Sequence, residues 1–181
     1  MDPGRLYTVG HSTRSLDELV QLLFREGVRH LIDVRAFPAS RRYPYFAKDS
    51  LAKSLPAAGI RYTHFPELGG RRKGRPDSPN VQWRNAGFRA YADYMQTPEF
   101  EAAVDRLVLN AAESVCAVMC AEAVPWRCHR TLIADAIEAR GVPVFHILDA
   151  STNRHAVTSF ATLEGARVRY DAVNQNELFR P

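Results

Sequence analysis

Lysine is nearly absent from this chain: Lys48, Lys53 and Lys73 are the only three, against 21 arginines in 181 residues. The mildly basic balance, a net charge of +4 and a pI near 9.1, is therefore carried by guanidinium groups. These pair in two-pronged fashion with phosphate and carboxylate, which a lysine ammonium does not. Cysteine is also scarce, and the odd count of three excludes a complete disulfide framework. With no leading apolar segment, it points to the cytoplasm rather than to secretion. No apolar run approaches the roughly 20 residues that cross a bilayer, so a membrane partner is not expected. The chain has neither a dinucleotide-binding glycine fingerprint nor a P-loop, which disfavours NAD and ATP. It also lacks internal repeats and linkers.

What is present is a core. Apolar residues make up 46% of the chain and aromatics 10%, distributed along its whole length. That composition suits one folded domain spanning 1–181. Leu6 to Gly10 reads as a short buried strand. A helix follows, with Ser15 and Glu18 as a capping box, an apolar stripe from Leu16 to Phe24, and Gly27 as a left-handed stop. Val28 to Val34 is a second strand, ended by Pro38. A helix starting at the cap-like Asp49 runs toward Gly59, and Ile60 to Phe65 forms a third strand. Residues 66–86 make a long basic loop, a length that in a compact domain marks either function or mobility.

Helices are predicted around Gly87 to Gln96 and, capped by Thr97-Pro98, on to about Ala112. Val115 to Cys120 is a central strand covered on both faces. A helix containing Leu132, Ile133, Ala136 and Ile137 ends at Gly141, and Val142 to Leu148 is the next strand. Within the tail, Arg167 to Val173 reads as a further short strand. The alternation predicts an α/β fold: a mainly parallel open sheet of five or six strands with helices on both faces.

In such a sheet, ligands bind beyond the carboxyl ends of the strands, where helix N-termini also point. Four segments bring polar residues to that edge: His11 after the first strand, Asp33 and Arg35 after the second, His64 and Glu67 after the third, and Cys120 to Arg130 after the fourth.

The texts Tyr7-Thr-Val-Gly-His-Ser-Thr-Arg14, Leu31-Ile-Asp-Val-Arg-Ala-Phe-Pro38, Pro66-Glu-Leu-Gly-Gly70 and Met119-Cys-Ala-Glu122 with Cys128-His-Arg130 occur in that order. On these motifs the chain resembles domain-of-unknown-function family 488 from about Tyr7 to Ile147. The resemblance implies the α/β domain and the motif positions and supplies no substrate.

The roles therefore come from the residues. Arg35, Arg41, Arg127 and Arg130 are the expected anion-binding groups, with His11 and Glu122 for proton transfer. Cys120 or Cys128 is the nucleophile of any covalent chemistry, because a helix N-terminus and nearby arginines lower a thiol's pKa. Asp33, His129, His64 and Glu67 would orient these groups. A cysteine at a strand end followed by an arginine at a helix start also resembles cysteine phosphatases and sulfurtransferases, although the loop here contains no glycine.

Cys116 reads as a small buried hydrophobe, and His30 and His146 as hydrogen-bonded core residues. A metal held by Cys120, Cys128, His129, His11 and His64 with Glu67 or Glu122 lacks a close ligand pair, so no metal ligand is assigned and the cofactor stays unknown. The expected partner is a phosphate-bearing small molecule or a nucleic acid, with Tyr43, Tyr45, Phe46, Trp83 and Trp126 available for stacking. A thiol-dependent enzyme and a non-catalytic nucleic-acid- or metal-binding module are the alternatives.

Overall fold

The two central strands, β1 (Leu6–Gly10) and β4 (Cys116–Cys120), are buried over their full lengths. Continuous apolar strands of this kind need cover on both faces. The computed structural model describes residues 4–171. Around the central pair lie β2 (His30–Asp33), β3 (Arg61–His64), β5 (Val144–Ile147) and β6 (Thr152–Arg154), in the order β3-β2-β4-β1-β5-β6. Every pairing is parallel except β5 with β6. The fold is α/β, with a single six-stranded sheet.

Alternate side chains from the strands enter two apolar layers. On one face Tyr7, Val9, Leu31, Ala117 and Met119 pack against α1 (Leu16–Arg25) and α2 (Lys48–Ala57). On the other, Leu6, Ile32, Cys116 and Val118 meet α3 (Ala86–Tyr94), α4 (Pro98–Glu113) and α5 (Arg130–Glu138). A separate hairpin, β7 (Thr162–Glu164) and β8 (Arg167–Arg169), adds Val168 to this second layer. The part of the expected last strand beyond residue 171 lies outside the described residues.

The local signals act as the chemistry requires. Ser15 and Glu18 form the reciprocal capping box of α1. Gly27 then turns the chain at φ 70°, a conformation that costs glycine nothing. Thr97 caps α4 by accepting from the Phe100 amide, and Pro98 takes the first helical position. Asp49 is not the cap of α2. A 3-10 turn at Pro44–Phe46 delivers the chain at Ala47, which occupies the cap position without a side-chain bond. Asp49 instead lies in the first turn, where its charge complements the helix dipole.

The connection expected over 66–86 opens with a 3-10 turn at Pro66–Leu68 and then has no regular structure up to Asn85, the cap of α3, yet it is held at several points. Buried Asp93 accepts from Asn80 Nδ2 at 2.8 Å, from the Arg75 amide and from the Ser78 hydroxyl. The Arg72 guanidinium lies 3.5 Å from the centre of the Tyr94 ring. Trp83 meets Phe88, Phe160 and Tyr170 edge-on.

Candidate functional site

The topology creates one divergence point. From β1 the chain leaves through α1 toward β2, while from the adjacent β4 it leaves through α5 toward β5, on the opposite face and in the opposite direction. Open α/β sheets bind ligands at such a switch point, because loops that part there leave a crevice. The register brings Gly10 level with Cys120, and Asp33 level with both Met119 and His64. The chain ends of β1 and β4 stay paired a little further, with His11 N donating to Cys120 O and Ser12 N to Ala121 O. A Cβ on Gly10 would lie 1.7 Å from Glu122 O, so only glycine permits this approach. Ser12 adopts φ 49°, the one non-glycine residue with positive φ among those described.

At the end of β2, Asp33 and Arg35 form a buried two-pronged ion pair. Arg35 Nε donates to Oδ1 at 2.8 Å and Nη2 to Oδ2 at 2.6 Å. Tyr62 OH also donates to Asp33, and Arg35 Nη2 reaches Phe46 O. Arg35 Nη1 lies 3.3 Å from His11 Nε2, and His11 Nδ1 lies 3.0 Å from Ser12 O. Since Arg35 can only donate, His11 Nε2 is the acceptor and Nδ1 carries the proton. Burial, followed by the Arg35 charge, lowers the His11 pKa to about 4.

Between β4 and α5, a 3-10 turn at Pro125–Arg127 returns the chain so that Cys128 faces Cys120. The two Sγ atoms are 2.6 Å apart, and both cysteines are free. Cys128 Sγ also lies 3.5 Å from His129 Nδ1 and accepts from the Arg130 amide at 3.5 Å. His129 Nε2 faces Val34 O at 3.3 Å, which assigns it as a donor and leaves the Nδ1 lone pair toward the thiol. Burial pushes the Cys128 thiol up, but the hydrogen bond from Cys120 and the neighbouring His129 and Arg130 outweigh it and hold it well below the ordinary value. Cys120 moves the other way, raised by burial and by donating to Cys128.

Arg130 is 1% exposed, and among the described residues its side chain reaches neutral acceptors only. Nη2 donates to Glu122 O at 2.6 Å, Nη1 to Thr8 Oγ1 at 3.5 Å, and Nε has no partner. A buried cation without a carboxylate favours negative charge nearby. Behind it runs a buried chain that spacing alone could not reveal. Asp135 Oδ1 is 2.8 Å from His155 Nε2, His155 Nδ1 is 2.9 Å from His146 Nε2, and His146 Nδ1 is 2.7 Å from Thr8 Oγ1. With one proton per ring, every donor points toward Asp135, which also accepts from Tyr170 OH and the Thr158 amide. His30 and His146 are thus hydrogen-bonded core residues, His30 through Thr63.

A pocket of about 350 Å³ gathers Arg35, Cys120, Glu122, Arg127, Cys128 and His129. Its far wall comes from Gly70, Arg71, Asn85, Gly87 and Phe88, contributed by the long loop and the start of α3. A second pocket, of about 500 Å³, shares Arg35, Ala121 and Glu122 and adds His11 and Arg42. Glu122 is exposed where the two pockets meet.

Arg130 is buried and lines neither pocket. Arg41 is exposed and lines neither pocket. His64 Nε2 is spent on Arg35 O at 2.8 Å, and Glu67 on Arg106 at 2.7 Å. Phe46 is fully buried, and Trp83 is partly buried, packed against the core by its edge-on contacts. Among the described residues, no group of three or more His, Cys, Asp or Glu is placed to hold a metal ion, and no helix is long and apolar enough to cross a membrane. Arg71 was visible in sequence only as part of a basic run. Gly70 stood inside a motif without a stated reason, which is now evident: a Cβ there would lie 2.5 Å from His129 Nδ1.

The family model described as domain of unknown function DUF488 matches residues 15–137, and the chain belongs to this family. The matched span takes in three of the four motifs and leaves Tyr7–Arg14 just outside. No curated protein and no solved structure matches the chain.

Proposed function

For a member of a family whose description assigns no activity, we propose a thiol-dependent enzyme that uses Cys128 as nucleophile on an anionic, phosphate-bearing substrate. One observation carries this reading. Cys128 Sγ, at the start of a nine-residue helix, accepts from a backbone amide, touches a second thiol and faces the His129 Nδ1 lone pair. It does so on the wall of a pocket that also presents Arg71 and Arg127. Helix N-terminus, adjacent histidine and nearby guanidinium are the surroundings that turn a thiol into a thiolate at neutral pH.

In this proposal Arg71 and Arg127 hold the substrate's oxyanion, since Arg35 is already paired with Asp33. The Cys128 thiolate attacks the electrophilic centre, and its developing adduct stays within the field of Arg130. Glu122 exchanges a proton with the leaving group or with the attacking water, and His129 takes the thiol proton beforehand.

The test is alkylation of the intact protein with iodoacetamide across pH, with the modified cysteine located by mass spectrometry. Cys128 should react at pH 5 to 6, well below the ordinary thiol pKa of about 8.5, and inorganic phosphate should slow the reaction. A rate that rises only above pH 8, with no phosphate protection, would overturn the reading.

A second reading, in which the phosphate belongs to a nucleotide or a nucleic-acid strand, draws on two aromatics. Phe37 is 72% and Trp126 62% exposed. Phe37 lines the neighbouring pocket beside Arg71, whose guanidinium lies 5.8 Å from its ring, and Trp126 directly precedes Arg127. Base stacking between phosphate-holding arginines would use both. Binding of labelled oligonucleotides that weakens steeply with salt supports it, and no binding at low salt removes it.

A further inference from the structure

We infer that Cys120 and Cys128 form a reversible intramolecular disulfide when Cys128 is oxidised by a hydroperoxide, making the pair a redox modification site. The inference rests on the reactive-thiolate part of the proposed function and is independent of which anion the pocket takes.

The geometry is the main support. Cys120 closes β4, and the Pro125–Arg127 turn brings Cys128 back against it. The sulfurs lie 2.6 Å apart, about half an ångström more than the ~2.05 Å of a disulfide bond, so only a small approach of the two atoms separates the pair from a bond. The pairing is also unique. Cys116 lies four residues upstream on the same strand, about 13 Å away at strand spacing, at the opposite end of the sheet. Its sulfur is engaged with Asn110 O, Ser114 O and His30.

Cys120 and Cys128 are 3% and 4% exposed, and both line the pocket, so a small oxidant has a route that a large thiol reagent lacks. The division of roles follows from the surroundings. The lowered Cys128 thiolate attacks first, and the Cys120 thiol waits as the resolving group.

In the first step the Cys128 thiolate attacks the terminal oxygen of ROOH. The O–O bond breaks, sulfur gives up two electrons to become a sulfenic acid, and the alkoxide leaves to collect a proton as ROH. In the second, Cys120 sulfur attacks the sulfenic sulfur. The S–O bond breaks, hydroxide departs with the Cys120 proton as water, and the S–S bond forms. A dithiol reductant returns both thiols by exchange. While the disulfide stands, Cys128 is unavailable as a nucleophile.

The test treats the full chain with a few equivalents of hydrogen peroxide. Thiols are counted in denaturant, and peptides are then mapped. The wild type should drop from three free thiols to one, with a linked peptide pair containing Cys120 and Cys128, and dithiothreitol should restore all three. C116S should still form the link. C120S, checked for folding by circular dichroism, should instead give a sulfenic acid trapped by dimedone at Cys128. If C120S does not fold, C120A and the wild-type peptide map carry the test.

Rapid alkylation of Cys128 together with no Cys120–Cys128 link after peroxide would overturn this inference and leave the nucleophile standing. Slow, high-pH alkylation of Cys128 would instead remove the thiolate on which both ideas depend.

Discussion

Arg35 grips Asp33 through two nitrogens at 2.6 and 2.8 Å, with both side chains buried at the carboxyl end of β2. Arg35 lines both pockets, and the pair keeps its Nη1 turned toward His11. Replacing one partner leaves the other charge buried and uncompensated. Asp33→Ala should therefore cost about 3 kcal/mol or more of unfolding free energy. Urea titration measures this, and a loss below about 1 kcal/mol would contradict a structural role for the pair.

Two glycines act by letting other groups come close. Gly10→Ala places a Cβ 1.7 Å from the backbone oxygen of Glu122, so β1 and the loop after β4 must separate. Most of that variant should be recovered unfolded or insoluble. Gly70→Ala meets the His129 ring at 2.5 Å and displaces a side chain rather than backbone. It should fold, yet alkylate at Cys128 at least about tenfold more slowly at pH 6, because His129 loses its position beside the thiol. Gly74→Ala, whose nearest contact is 3.4 Å, is the control expected to match the wild type in both respects.

Acid should destabilise the protein earlier than carboxylate titration alone would. His11 and His30 are lowered to about 4 and His146 to about 3, each mainly by burial. Their unfolded value is about 6.5, so below that pH the unfolded chain binds protons that the native one refuses. The stabilisation is complete above pH 6.5 and is lost as pH falls toward 4. A decline on the order of 3 kcal/mol between pH 7 and 5 is expected from urea midpoints. A flat profile over that interval would mean these rings are not held neutral.

Asp135 ends the chain that begins at Arg130, and it accepts from His155, Tyr170 and the Thr158 amide. Asp135→Ala strands three donors at once, two of them buried and one part-buried, each worth about 1 kcal/mol, for a summed loss of about 3 kcal/mol. Tyr170→Phe removes only one donor and should cost about 1 kcal/mol. Equal losses in the two variants would show that Asp135 is not the common acceptor.

Arg71 and Arg127 are the guanidinium groups that line the cysteine pocket without a carboxylate partner among the described residues. Alanine at either should leave the unfolding free energy within about 0.5 kcal/mol of wild type, as for an exposed side chain. Phosphate protection of Cys128 should weaken about tenfold. Unchanged protection in the double variant would place the anion elsewhere.

Much of the scaffold could be read locally, because capping boxes, left-handed glycines and apolar periodicity are short-range effects. Ser15 with Glu18, Gly27, and Thr97 with Pro98 all act within one turn of the chain. Asp49 failed as a cap because the immediately preceding Pro44–Phe46 turn, which no cap residue signals, set the start of the helix at Ala47. The gathering at the strand ends was likewise legible, since parallel strands place their carboxyl ends on one side. Six of the named residues do line one pocket. His64 and Glu67 were named on the same argument, but their side chains are engaged with Arg35 O and Arg106. Arg41, which came from a basic cluster in the loop after β2, is exposed and lines neither pocket.

By itself the sequence determined the α/β alternation, the family and the edge where polar groups collect, because each depends on residue type and order along the chain. Only tertiary structure decided that Cys128 closes onto Cys120, that Arg130 is buried outside both pockets, and that Asp135 reaches it through two histidines and a threonine. Those relations join residues up to 138 positions apart. Packing sets such distances, and no local propensity encodes them.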